Sequence, residues 1–197
     1  MTLSDWYHDQ VPPLTNIYLS PENNPTGSEP VPYSALMNDG QNVKLNVEPG
    51  KTYFIRITNG AAFSQIYLHF DQHKMTIVEI DGIYTEHKEV DSLYIAVGQR
   101  YGVLLETKGD TSTNYAALAM LDTTKFDNLP NYTNPNVTGY LVYDSGKALP
   151  SALVVDGFDV IDDFTLTPYD KLPLFDGTPD TVIVLSLEFF ERDDQNR

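Results

Sequence analysis

Four histidines, His8, His69, His73 and His87, are the first candidates for metal or general-base chemistry. None forms an HxH, HxxH or HExxH pair. His69 and His73 are four apart, a spacing that shares one face of a helix, but Asp71-Gln72 between them reads as a turn. The plain expectation is that each is a surface or internally satisfied side chain. The chain has no Cys, so it lacks a thiol nucleophile, a disulfide, a zinc ribbon and a copper–thiolate centre of its own. No GxSxG, Walker or GxGxxG pattern occurs, which removes support for nucleophilic and nucleotide chemistry.

Carboxylates remain. Asp122 and Asp127 bracket a polar turn, and Asp156, Asp159, Asp162 and Asp163 crowd eight residues. Glu29 lies within Asn24-Pro25-Thr26-Gly27-Ser28-Glu29-Pro30, a segment too rich in Pro and Gly for regular structure. Hard divalent cations take oxygen ligands, so such groups could hold one. The bland alternative is a solvated acidic loop that keeps the protein soluble.

Overall charge points the same way. The 197 residues include 28 acidic and 12 basic ones, a formal net charge of −16. That surface repels a nucleic acid duplex or an anionic bilayer and attracts cations. Residues 151–197 carry 11 acidic and 3 basic residues, so the excess is densest at the C-terminal end. Hydrophobic residues make 41%, enough for the packed core of one domain. No stretch approaches the ~18 apolar residues of a membrane span. Met1-Thr2-Leu3-Ser4 opens no signal peptide. Asn131-Tyr132-Thr133 and Asn136-Val137-Thr138 are both N-glycosylation sequons. Two so close together predict an exposed segment and passage through the secretory pathway. A secreted chain without its own signal is expected to be part of something longer.

The elements that position these groups read as strands. Val43, Leu45 and Val47 alternate with polar residues before Pro49-Gly50. Tyr53, Ile55 and Ile57 alternate with Phe54, Arg56 and Thr58 before Asn59-Gly60. Further runs cover 66–70, 76–80, 93–95, 101–106, 115–120, 139–143 and 181–189, with Asp81-Gly82 as a hairpin dipeptide. Roughly nine short strands, with no helix of ten residues, predict an all-β Greek-key sandwich or barrel. Two long segments, 12–40 and 145–179, lack this regularity; one is Pro-rich and the other acidic. Loops of that length are often functional.

Four segments together carry a resemblance. They are Leu3-Ser4-Asp5-Trp6-Tyr7-His8; Asn24 to Pro30 as quoted above; Met75-Thr76-Ile77-Val78-Glu79-Ile80-Asp81-Gly82; and Val90-Asp91-Ser92-Leu93-Tyr94-Ile95 with Gly98-Gln99-Arg100-Tyr101 and Val103-Leu104. In this order they resemble the middle, cupredoxin-like domain of three-domain multicopper oxidases. The third and fourth are shared by laccases, ascorbate oxidases and ferroxidases. Gly27-Ser28-Glu29-Pro30 is similar to the fungal high-affinity iron-uptake ferroxidases. The resemblance implies that Glu29 binds Fe²⁺ and passes its electron toward a copper site, with Asp127 as a second iron ligand. It implies that Asp122, Asp156, Asp159, Asp162 and Asp163 form an exit path that hands Fe³⁺ to an iron permease. The Asp159–Asp162 spacing is one residue shorter than the family pattern.

The same resemblance predicts a copper-free middle domain over 1–180, with 181–197 a strand and linker into the next domain. Copper would be ligated entirely by the flanking first and third cupredoxin domains, and iron would be the substrate. The parent would lie at the cell surface or outside it, with a transmembrane anchor beyond this segment. A laccase-like phenol oxidase and a purely structural or interaction module are the alternatives. An organic donor prefers an apolar pocket, so carboxylates on a −16 background favour the metal.

Overall fold

The structure, a computed structural model, describes residues 1–109, 113–172 and 177–187. The described residues form eleven strands and one α-helix. In chain order these are β1 (Thr2–Trp6), α1 (Val11–Tyr18), β2 (Ser34–Met37), β3 (Val43–Asn46), β4 (Thr52–Asn59) and β5 (Ile66–Phe70). There follow β6 (Met75–Ile80), β7 (Ile83–Val90), β8 (Ser92–Ile95), β9 (Arg100–Glu106), β10 (Tyr115–Leu121) and β11 (Asn136–Val142).

Two sheets stack face to face. One has the order β2-β1-β4-β9-β6-β7 and the other β3-β11-β10-β5-β8. The chain changes sheet repeatedly, so neighbours in space are seldom neighbours in sequence. Pairing among the strands is antiparallel, except that β1 runs parallel to β4 and β3 parallel to β11. This is the all-β sandwich that the periodicity predicts. Ile66, Leu68 and Phe70 of β5 and Tyr101, Val103 and Leu105 of β9 point inward on alternate positions and are buried. With Leu3, Met37, Ile57, Met75, Ile77, Leu93 and Ile95 they fill the space between the sheets. Full burial of each such side chain contributes roughly 1.5–3 kcal/mol.

Three strands exceed the sequence expectation. β1 and β2 lack a clean alternation, and their pairing with each other and with β4 forms them. β7 is an edge strand, solvent-exposed except at Thr85 and Val90, so its residues are mostly polar. The 12–40 segment is also more regular than expected. Pro12 and Pro13 open α1, where a missing N–H costs nothing. One expected strand is absent: residues 181–187 pair with no strand among the described residues. Val182, Ile183, Val184, Leu185 and Leu187 are 73–92% exposed. An apolar run needs a partner edge, and this one meets none here. Residues 188 and 189 lie outside the described residues.

The acidic 145–172 segment is not loose. Its residues 167–169 run along the edge of β7, where the Glu86 N–H donates to the Thr167 carbonyl at 2.8 Å and the Tyr169 N–H to the Tyr84 carbonyl at 2.8 Å. This covers part of an edge that would otherwise offer unpaired backbone groups.

His73 closes one end of the sandwich. It is 5% exposed. Its Nδ1 donates to the Asp71 carbonyl at 2.7 Å, and its Nε2 lies 2.7 Å from the Tyr143 hydroxyl. That hydroxyl also accepts the Lys108 N–H at 2.7 Å. Such a chain assigns Tyr143 as donor to a neutral imidazole. Burial, aided by the Lys108 charge, holds the His73 pKa below its usual value, against the opposing bond to Asp71. The unfolded chain therefore takes up the proton first as pH falls. The stabilisation is complete above about pH 6.5, the unfolded value, and is lost progressively below it. Denaturant unfolding of the chain is expected to show a midpoint that drops between about pH 7 and pH 5, with a shallower drop in His73→Gln. Tyr143→Phe leaves buried His73 Nε2 and the half-buried Lys108 N–H without this partner and is expected to cost about 1–3 kcal/mol at neutral pH.

Candidate functional site

Glu29 sits on the loop between α1 and β2. Asn24 shapes that loop: its side-chain amide donates to the Tyr18 carbonyl at 3.1 Å and to the Ser28 carbonyl at 2.9 Å. Gly27 takes a φ of +71°, the left-handed region that glycine occupies without strain. The Tyr7 hydroxyl donates to the Pro30 carbonyl at 3.3 Å. Burial, then the charges of Asp5 and Glu29, pushes the Tyr7 pKa up, so it remains a donor.

Asp127 arrives from the opposite direction. It follows a single 3-10 turn, Thr123–Lys125, that leaves the end of β10. Phe126 stacks on Phe63, with ring centroids 5.4 Å apart. The Asp5 carboxylate fixes the Phe63 loop by accepting the N–H groups of Ala62 at 2.9 Å and Phe63 at 3.0 Å. The two loops then meet: Glu29 Oε1 accepts the Asp127 N–H at 2.8 Å, across 98 residues of sequence. Asp127 is exposed and Glu29 half-buried. Two carboxylates therefore share one rim, and the other Glu29 oxygen has no hydrogen-bond partner among the described residues.

The remaining acidic candidates divide by environment. Asp122 is 3% exposed. Its Oδ1 accepts the Thr124 hydroxyl at 2.6 Å and the Thr124 N–H at 3.1 Å, and its Oδ2 accepts the Tyr94 hydroxyl at 2.7 Å. Burial alone would raise its pKa, but the bonds from Thr124 and Tyr94 outweigh it and hold the pKa low. Asp162 caps a second 3-10 turn, Asp163–Thr165, by accepting the Phe164 N–H at 3.0 Å. Asp163 accepts from the Tyr101 hydroxyl and from the Gln99 amide, the latter at 2.7 Å. Asp156 and Asp159 are exposed, with no hydrogen-bond partner among the described residues. Phe158 between them stacks on Tyr67 at 4.6 Å. Sequence reasoning found these carboxylates by type but missed Asp5, Asn24, Tyr94 and Gln99, which arrange them. Only Asn24 left a local signal, an Asx residue ahead of Pro25-Thr26-Gly27.

The histidines do not fit copper. Both ring nitrogens of His73 are engaged, and His69 Nδ1 faces the Asp91 carbonyl at 2.9 Å and the Ser92 hydroxyl at 3.1 Å. His8 packs edge-on to Tyr33, 4.3 Å between centroids, and His87 lies on the exposed edge strand β7. A type 1 copper asks for two His and a Cys, and these residues offer no such set. Among the described residues no three His, Cys, Asp or Glu side chains gather as a metal site. Of the two sequons, Asn131 is exposed in a turn, whereas Asn136 opens β11 with its Oδ1 buried.

Against this geometry, a multicopper oxidase family model matches residues 1–146. The chain belongs to the multicopper oxidase family. It is 47% identical over 188 residues to the iron transport multicopper oxidase FET3 of Gibberella zeae, covering 95% of this chain and 30% of that protein. It is 44% identical to the iron transport multicopper oxidase FET3 of Saccharomyces cerevisiae, over 95% of this chain and 29% of that protein. The chain thus spans under a third of the length of these relatives. The crystal structure of Fet3p, a multicopper oxidase that functions in iron import, superposes with a TM-score of 0.88 at 45% identity, over 92% of this chain and 34% of that one. The laccase of Botrytis aclada gives 0.66 at 26% identity, over 79% and 30%. The expected cupredoxin-like sandwich is therefore the fold of this multicopper oxidase chain.

A ligand prediction follows from the histidines. Loaded with copper and dialysed, the chain is expected to retain no stoichiometric copper and to show no intense blue absorption. Metal analysis with a visible spectrum checks this, and one retained equivalent of copper would contradict the ligand geometry described above.

Proposed function

We propose that this chain is the copper-free middle domain of a larger multicopper ferroxidase, with the domain over 1–180 and residues 181–197 leading into the next one. The observation that carries the reading is the meeting of Glu29 and Asp127 on one rim, in a chain whose relatives are named for iron transport. Four Fe²⁺ would each lose one electron, and O₂ would take up four electrons and four protons to give two waters. Copper, held by the flanking first and third domains, would supply the redox acceptor. This chain's own residues would bind and orient the ion. The Glu29 carboxylate, fixed through Oε1, would offer its second oxygen to Fe²⁺, and Asp127 would complete the pair. Carboxylates stabilise Fe³⁺ more than Fe²⁺, which favours electron loss at the bound ion. Asp156 and Asp159, both exposed, are the best candidates for guiding Fe³⁺ outward to a permease. The apolar, unpaired residues 181–187 suit a strand completed by the following domain. The sequon at exposed Asn131 supports a secretory route to the cell surface.

The test is differential. In the intact oxidase, Glu29→Ala is expected to lower kcat/KM for Fe²⁺ strongly, by about two orders of magnitude, while oxidation of a bulky phenol or diamine changes little. A neutral organic donor has no use for a carboxylate that stabilises Fe³⁺. Asp127→Ala should act in the same direction but more weakly. The double variant should be less than additive, because both groups would touch one ion. Steady-state kinetics with both donor types decides. Equal losses for iron and organic donors would turn the reading toward a laccase-like oxidase.

A further inference from the structure

The corner between β8 and β9 is unusually well braced. Gly98 turns it at a φ of +78°. Asn59 at the end of β4 is fully buried; its side-chain amide donates to the Ile95 carbonyl at 2.9 Å, and its backbone exchanges bonds with Gly98 and Gln99. Gln99 Oε1 accepts the Ala96 N–H at 2.8 Å, which fixes that side chain within the corner. Three polar groups project from this frame, and all three end on acidic residues. Tyr94 reaches Asp122, and Gln99 and Tyr101 both reach Asp163. Asp122 heads the loop that carries Asp127. Asp163 anchors the segment that carries Asp156 and Asp159. Tyr67 stacks on Phe158 and packs tilted against Tyr94, each at 4.6 Å between centroids, and so joins the two grips.

We propose that Asp122 and Asp163 are positioning residues rather than ion carriers: through Tyr94, Gln99 and Tyr101 the β8–β9 corner grips both acidic loops, and on these two loops only Asp127, Asp156 and Asp159 meet the ion that Glu29 binds. The inference rests on the ferroxidase reading for the identity of the ion. Its geometric support is independent. Both oxygens of Asp122 and both of Asp163 already face donors, and Asp122 is sealed from solvent. A cation could reach Asp122 only by displacing donors that hold the loop, and on half-buried Asp163 it would compete with the two bonds that anchor its segment. The low pKa of Asp122 and the raised pKa of Tyr94 and Tyr101 agree with stable phenol-to-carboxylate bonds.

The partners of these carboxylates cannot bind iron as carboxylates do, and that makes the test sharp. In the intact oxidase, Tyr94→Phe, Thr124→Val and Asp122→Asn are compared for Fe²⁺ oxidation and for oxidation of an organic diamine. Positioning predicts that Tyr94→Phe and Thr124→Val each reproduce the Asp122→Asn loss, about tenfold in kcat/KM for Fe²⁺, with the organic rate kept. It also predicts that Tyr94→Phe combined with Asp122→Asn is no worse than Asp122→Asn alone. Organic turnover reports that each variant folds; if Asp122→Asn loses it, the two uncharged variants decide by themselves. Normal Fe²⁺ kinetics in Tyr94→Phe and Thr124→Val would overturn the proposal, because only the charge of Asp122 would then matter. Failure of the ferroxidase reading looks different: Glu29→Ala would slow both donors equally, whatever the Tyr94 variant does.

Discussion

Buried Asn59 is the interaction on which the site depends. Its side chain donates to the Ser64 and Ile95 carbonyls at 3.0 and 2.9 Å and accepts the Ala61 N–H at 2.9 Å, so all three bonds stay inside the protein. Its backbone adds two more, to Gly98 and Gln99. A buried amide leaves no room for partial satisfaction, since each unpaired group would cost about 1–3 kcal/mol. One residue therefore joins the end of β4, the 61–64 loop, the end of β8 and the β8–β9 corner into a rigid unit.

Asp122, Asp127 and Asp163 are hung from that unit. The 61–64 loop, held also by Asp5, presents Phe63, on which Phe126 stacks to place Asp127. The corner presents Tyr94 and Tyr101 to Asp122 and Asp163. Glu29 comes from a separate loop and joins last, through one bond to a backbone N–H. A backbone donor is a useful choice here. It orients the carboxylate without adding a cation that would compete with a metal for it. Rigidity of the frame and accessibility of the rim are thus separated among different residues.

How legible was this in the sequence? The central strands were, because burial on alternate residues writes itself as a period of two: Ile66, Leu68 and Phe70 could be read directly. β7 was not, since an edge strand has little buried surface to enforce a pattern. Residues 181–187 misled for the opposite reason, as an apolar β-rich run signals a strand only where an edge is present to receive it. The carboxylates show the same boundary. Asp122 and Asp127 are identical in type and five residues apart, yet one is buried in donors and the other open to water. Tyr94, 28 residues away from Asp122, makes that difference. No local pattern contains it. Asn59-Gly60 likewise read correctly as a turn while hiding the five bonds of Asn59.

Net charge by itself does not explain how a cation would find the rim. At physiological ionic strength the field of an exposed charge decays over about 8 Å, so most of the −16 contributes only a diffuse attraction. What counts locally is which carboxylates face water close together. Asp127, Asp156 and Asp159 face water, while both oxygens of Asp122 and of Asp163 already accept from phenols, hydroxyls or amides. A fixed internal carboxylate still contributes negative potential through the protein, where screening is weaker than in water. It therefore raises the attraction felt at the rim without becoming a trap along the way. A route built this way would bind weakly at each exposed step and would be steered by charges the ion need not touch.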